Sequence, residues 1–181
     1  MDTFHELAKT RRSIRAFTKQ DIKNEDLRLC AETARYAPSA CNSQPWKFTI
    51  INDPLLKEQI AKKVISGIYK MNSFAADASA YIAIIKEPIK MPAWLGGKIR
   101  NTNFQQIDIG IACSHLILQA QELGIGSCIL GWFNERKLKR ILKVPFSKKI
   151  ELLIALGYTS GKTLSEKVLK DKSKTVSFNQ Y

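Results

Sequence analysis

Histidine is scarce in this chain, with only His5 and His115 in 181 residues. The four cysteines, Cys30, Cys41, Cys113 and Cys128, form no Cys-x-x-Cys pair. Zinc-type ligand spacing is therefore missing, and no metal site is expected. No Gly-x-Gly-x-x-Gly follows a predicted strand, which removes a Rossmann dinucleotide site. No run reaches the uninterrupted apolar length of a membrane span. The N-terminus, Met1-Asp2-Thr3-Phe4-His5-Glu6, lacks the basic-then-apolar order of a signal peptide, so a cytoplasmic location is expected. Acidic residues are few as well: 16 Asp and Glu against 29 Lys and Arg leave a formal charge of +13.

What is present fits one globular domain. The length allows a sizeable core, and 45% of the residues are hydrophobic. The positive excess raises nucleic acid and acidic membrane surfaces as partners. Its lysines, however, are spread along the chain (Lys57, Lys62, Lys63, Lys86, Lys90, Lys137 and onward) as on solvated helix faces. No nucleic-acid-binding motif accompanies them. Part of the excess can serve anionic cofactors. Neither nucleic acid nor membrane is expected as a partner. Cys30 and Cys113 fall among apolar residues of predicted helices and read as core. Cys41 lies in a polar loop with no histidine base near it in sequence, so no thiolate chemistry is assigned to it.

Coarse reading predicts helices over Asp2–Lys9, from an Asn24 cap to the residues before Pro38, and from Asp53-Pro54 to about Ile65. Leu27, Cys30, Ala31 and Ala34 mark the apolar face of the second. Phe104–Leu123 is the longest helix, apolar nearly all round, and is expected to be central and buried, with Gly124 closing it. Asn134 caps a helix to Leu142. Strands are expected at Trp46–Asn52, Ala80–Lys86, Ser127–Leu130 and Ile150–Gly157. Pro88–Arg100, with two prolines and Gly96-Gly97, reads as a loop or flap. Tyr158–Tyr181 is a polar, lysine-rich tail that cannot form its own core.

Two clusters carry chemistry. Arg11-Arg12-Ser13-Ile14-Arg15-Ala16-Phe17 places three cations within five residues, a set able to grip a phosphate bidentately. Taken alone it is also an ordinary solvated charge run. Pro38-Ser39-Ala40-Cys41-Asn42-Ser43-Gln44-Pro45-Trp46 places hydroxyl and amide groups between two prolines that forbid helix and favour extended geometry. Such a loop suits a planar heterocycle with polar edges, or is simply a proline-bounded turn.

Together the two clusters resemble the nitroreductase family of flavin enzymes, in which an Arg-Arg-Ser-x-Arg-x-Phe start precedes a Pro-Ser-x-x-Asn-x-Gln-Pro-Trp loop. The resemblance extends through Asp108-x-Gly110-x-Ala112 and Leu123-Gly124-x-Gly126-Ser127-Cys128 to Leu130-Gly131-Trp132, and covers nearly the whole chain. It implies an α+β, three-layer fold: a central mixed, mostly antiparallel sheet flanked by helices. Residues 1–181 would form one FMN-binding domain, with 158–181 as an extension embracing a homodimer partner and the active sites at the interface. It also implies tightly bound, non-covalent FMN, with NAD(P)H as co-substrate.

The FMN contacts so implied are Arg11, Arg12, Ser13 and Arg15, then Pro38, Ser39, Ala40, Asn42 and Gln44, then Asn72, the backbone at Leu130 and Gly131, and Lys172 with Lys174. The loop is expected to reach the flavin held by the other subunit's arginines. One position departs from the pattern: Phe74 stands where many members place a lysine near the flavin pyrimidine edge. The flavin carries the chemistry, so no catalytic side chain is named. The implied activity is ping-pong reduction of nitroaromatics, quinones or similar small acceptors. Alternatives are reductive dehalogenation or flavin cleavage on the same fold, or a basic nucleic-acid-binding module.

Overall fold

Ala80–Ile85 and Leu152–Leu156 are apolar at every position, as strands covered on both faces must be. In the computed structural model, which describes residues 3–159 and 167–181, they lie in the central strands of the sheet. β2 (Ala80–Lys86) and β4 (Ile150–Gly157) are flanked by β1 (Trp46–Ile51) and β3 (Gly126–Leu130) in the order β1-β2-β4-β3. Every strand pair is antiparallel: Trp46 lies opposite Lys86, Ile82 opposite Ile154, and Ser127 opposite Leu156. The expected parallel component shrinks, among the described residues, to one isolated bridge between Ser13 and Ser127.

Strand alternation feeds two cores. Ala80, Ile82, Ile84, Ile154 and Leu156 face α2 (Asn24–Arg35) and α5 (Phe104–Glu122). Tyr81, Ala83, Ile85, Leu153 and Ala155 face α3 (Pro54–Lys63), α6 (Glu135–Ile141) and a 3-10 stretch over Gly67–Asp77. The result is three layers. Each fully buried aliphatic contributes roughly 1.5–3 kcal/mol of transfer free energy, so the sheet centre is the main source of stability.

Capping explains several element ends. Asp53 accepts from Leu56 N at 2.9 Å and Asn134 from Lys137 N at 3.1 Å, each opening its helix. Gly124 takes φ 72° and closes α5. Other expectations fail. Lys23 occupies the cap position of α2, and Asn24 is helical; its amide oxygen accepts from Asn52 Nδ2 at 2.5 Å instead. The expected flap contains α4 (Met91–Ile99), because Pro92 sits in the first turn, where a missing N–H is no loss. α5 is not buried all round: Ile107 is 50% exposed and Gly110 faces open space.

α1 (Phe4–Thr10) starts from a Thr3 cap. Its expected start at Asp2, and tail residues 160–166, lie outside the described residues. Residues 167–181 are exposed throughout, with one 3-10 turn at Lys172–Lys174. No helix among the described residues is long and apolar enough to cross a membrane.

Candidate functional site

The arginine cluster lies along the open edge of β3. Ile14 N–H donates to Ser127 O at 2.9 Å and Thr18 N–H to Tyr158 O at 2.8 Å. Two glycines make this docking possible. A Cβ on Gly126 would stand 2.7 Å from Ile14 Cγ1, and one on Gly157 would stand 2.7 Å from Phe17 Cδ1. Ile14 is thereby buried and its neighbours Ser13 and Arg15 are left exposed.

Among the described residues, neither Arg11 nor Arg15 has a carboxylate within salt-bridge reach. Arg15 stands 5.9 Å from the centroid of the Phe74 ring, a cation–π contact at the position where a lysine was expected. Burial pushes the Cys128 thiol pKa up, and the positive charges of Arg15 and Arg11 partly offset this. Both guanidinium groups therefore act on the same spot of β3. Arg12 is engaged differently: its Nη1 donates to Lys9 O at 2.6 Å and to Arg11 O at 3.1 Å, closing the end of α1.

The turn after β3 joins this side. Asn72 is buried, and its Nδ2 donates to Trp132 O at 2.5 Å. One of its two amide N–H groups is thus used, which leaves the other N–H and Oδ1 for anything else. Trp132 Nε1 donates to Ile68 O at 3.4 Å and its ring packs on Tyr69 at 5.4 Å. Leu130 is 1% exposed, with its side chain in the core. Gly131 is exposed, and a Cβ there would meet nothing within 4 Å.

The loop Pro38–Trp46 is elsewhere. It enters β1, on the other edge of the sheet, at the far end of the strands. Ser39 Oγ accepts from Gln44 N at 2.9 Å, Gln44 Nε2 donates to Asn42 Oδ1 at 2.9 Å, and Ser43 Oγ donates to Ala40 O at 2.6 Å. Asp108 on α5 accepts from Ala40 N at 3.1 Å. Sequence reasoning placed this residue in the Asp108-x-Gly110-x-Ala112 stretch but gave it no role in the site; its signal was a lone carboxylate between Ile107 and Ile109. From Asp108 to the end of α5, where the chain turns into β3, the helix covers about 21 Å at 1.5 Å per residue. The arginines and the loop therefore occupy diagonal corners of one subunit.

Of the residues singled out from sequence, Arg11, Arg15, Asn72, Leu130 and Gly131 come together on the β3 side. Ser13 and Arg12 adjoin them. Pro38, Ser39, Ala40, Asn42 and Gln44 form the second group. Lys172 and Lys174 stand exposed on their 3-10 turn; among the described residues no hydrogen bond ties them to either group. The tail does touch α1, where Lys167 Nζ donates to Ala8 O at 3.2 Å. Among the described residues no cluster of three or more His, Cys, Asp or Glu is placed to hold a metal ion.

Residues 8–158 match the nitroreductase family. A protein of Archaeoglobus fulgidus, provisionally named an NADH dehydrogenase/NAD(P)H nitroreductase, is 31% identical over 82% of this chain and 81% of its own length. The iodotyrosine deiodinase of Thermotoga neapolitana is 24% identical over 87% of this chain and 89% of its own length. A nitroreductase family protein of Clostridium difficile has a solved structure that superposes with a TM-score of 0.80 at 26% identity, over 99% of this chain and 100% of that one.

Proposed function

The chain belongs to the nitroreductase family, and from that premise we propose that it is an FMN-dependent NAD(P)H oxidoreductase whose sites form between two copies. One observation carries the two-copy part of the reading: the two residue groups are intact but lie at diagonal corners of one subunit. A second copy brings the loop of one to the arginines of the other.

The donor set fits a planar cofactor with an anionic tail. Arg11 and Arg15 offer guanidinium forks suited to a phosphate, with Ser13 beside them. Gly131 leaves backbone open to close approach by a ring. Asn72 keeps an amide oxygen for a polar ring edge. Asn42 and Gln44 present amides from the partner loop. Arg15, held over Phe74, supplies positive charge on the side where a lysine is missing. When bound, FMN would supply the redox chemistry, hydride exchange with NAD(P)H and an acceptor that use one shared place in ping-pong order, while Arg11, Arg15, Asn72 and the partner loop would hold it there.

The second copy would also cover apolar side chains that one chain leaves bare: Ile107 on α5, and Val168, Leu169 and Phe178 on the tail. In this reading residues 1–181 are one domain and 158–181 the extension that embraces the partner. Lys172 and Lys174 then complete the phosphate site. A nitroaromatic or a quinone is the proposed acceptor. The deiodinase relative supports a second reading, reductive dehalogenation on the same scaffold.

The test is direct. The purified protein should be yellow, release about one FMN per chain on denaturation, and bleach anaerobically with NADH or NADPH. Reoxidation by a quinone or nitroaromatic favours the first reading, and reoxidation only by a halogenated aromatic the second. Colourless protein that takes up no FMN removes both.

A further inference from the structure

The loop that enters β1 is bent against its own preferences. Cys41, Asn42 and Gln44 sit at φ 53°, 50° and 49°. Asparagine visits that left-handed region readily, but cysteine and glutamine do so at a cost. Backbone of this kind persists only where its surroundings over-determine it. The loop's internal hydrogen bonds give it shape without tying it down.

Three contacts do tie it. At its far end Glu87 N–H donates to Pro45 O at 3.0 Å, where β1 begins. In the middle, Lys90 N–H, at the exposed start of α4, donates to Ser43 Oγ at 3.1 Å. At its near end, just before the strained residues, Ala40 N–H donates to Asp108 Oδ2 at 3.1 Å. Asp108 is 4% exposed and sits in the longest helix, next to Ile109 and one turn before Ala112, both core residues. Burial raises its carboxyl pKa, and the Ala40 hydrogen bond offsets only part of this. Carrying the charge there works against the fold, so packing does not explain a carboxylate at this point.

We propose that Asp108 is a positioning residue: its carboxylate pins Ala40 and so holds the Cys41–Gln44 turn in the shape that offers Asn42 and Gln44 to the cofactor. This rests on the reading of that loop as part of the FMN site. Asp108 itself does not touch the cofactor; it acts through the loop.

The test uses full-length apoprotein, an FMN titration, and alkylation of Cys41, the one exposed cysteine of the four. Asp108→Leu keeps the branched shape in an apolar setting but removes the acceptor, whereas Asp108→Asn retains an acceptor oxygen. The Asn variant should bind FMN within about threefold of wild type. The Leu variant should bind at least tenfold more weakly, about 1.4 kcal/mol, and alkylate Cys41 at a clearly changed rate. A residue that only supports α5 would lower the melting temperature and leave the Cys41 rate alone.

Should Asp108→Leu fail to fold, Ala40→Pro removes the donor instead, and the extended Ser39 (φ −147°, ψ 151°) accepts a following proline. Weakened binding with a changed Cys41 rate again supports the pin. Unchanged affinity, or an unchanged Cys41 rate, in a folded variant of either kind overturns it. Wild-type apoprotein that binds no FMN removes the functional reading and this inference together; wild type that binds, with an equally tight Leu variant, removes this inference alone.

Discussion

Gly126→Ala adds one methyl group at the point where the arginine strand meets the sheet. The new Cβ would lie 2.7 Å from Ile14 Cγ1, 3.0 Å from Ile14 Cβ and 3.0 Å from Gly157 O. None of these can yield freely. Gly157 O belongs to the sheet, and Ile14 is 4% exposed, with its N–H committed to Ser127 O at 2.9 Å. The segment from Ser13 to Arg15 must therefore lift. Overpacking of this kind costs about 1–3 kcal/mol, and the weakened backbone bond adds about 1 kcal/mol. A total near 2–4 kcal/mol leaves a typical domain folded at 25 °C, since stabilities run about 5–15 kcal/mol. Because Arg11 and Arg15 flank the lifted residue, FMN affinity should fall by more than tenfold. Urea unfolding followed by tryptophan fluorescence gives the first quantity and flavin titration of the apoprotein gives the second. Gly124→Ala is the control: its φ of 72° strains any side chain, and no atom lies within 4 Å of its Cβ, so nothing in the arginine strand has to move. It should lose about 1 kcal/mol and no FMN affinity. A Gly126→Ala protein with wild-type FMN affinity would refute the placement of the arginine strand in the site.

Arg15→Ala should weaken FMN binding by about 1.5–3 kcal/mol, the worth of a charge-assisted contact, while Lys62→Ala, in an exposed pair with Glu58, changes nothing; equal FMN affinity in Arg15→Ala removes it from the site. Gly110→Ala would add about 0.5–1 kcal/mol to a solvent-facing helix. If the face of α5 bearing Ile107 packs on a second copy, the same methyl should instead loosen the dimer in sedimentation, and a more stable, equally tight dimer would contradict that packing. Burial raises the Asp108 carboxyl in the folded state. Asp108→Asn should therefore gain stability relative to wild type as pH rises from about 4, the unfolded value, through the raised folded value, and the gap should be flat below about 4 and level off again above the folded value. Urea midpoints that show a flat difference across that range would count against the burial effect.

The central strands were readable from sequence because burial on both faces demands continuous apolar runs, which only a few segments of the chain possess. Asp53 and Asn134 were readable as caps because a short oxygen-bearing side chain before a helix satisfies its free amides. α4 was hidden by Pro92, which breaks a helix interior but is harmless in a first turn. Asn24 misled because capping depends on one position; Lys23 holds it, while Asn24 is bonded across to Asn52. The chemistry of the site was legible as two motifs, since residue types and spacing are local. Their separation was not, because strand order decides which motif lies on which edge, and order depends on contacts far apart in sequence. The tie from Asp108 to the loop was missed for the same reason: its partner Ala40 lies 68 positions away.

Mixing two defective proteins tests the account most directly. Arg15→Ala disables the β3 side and Gln44→Ala the loop; each alone should hold little FMN. After subunit exchange, a symmetric dimer gives about half heterodimers, each with one site built wholly from intact groups. The account predicts recovery of about a quarter of the wild-type flavin content and turnover. No recovery, with subunit exchange shown by mass, would place both groups in one chain and contradict the site shared between two copies.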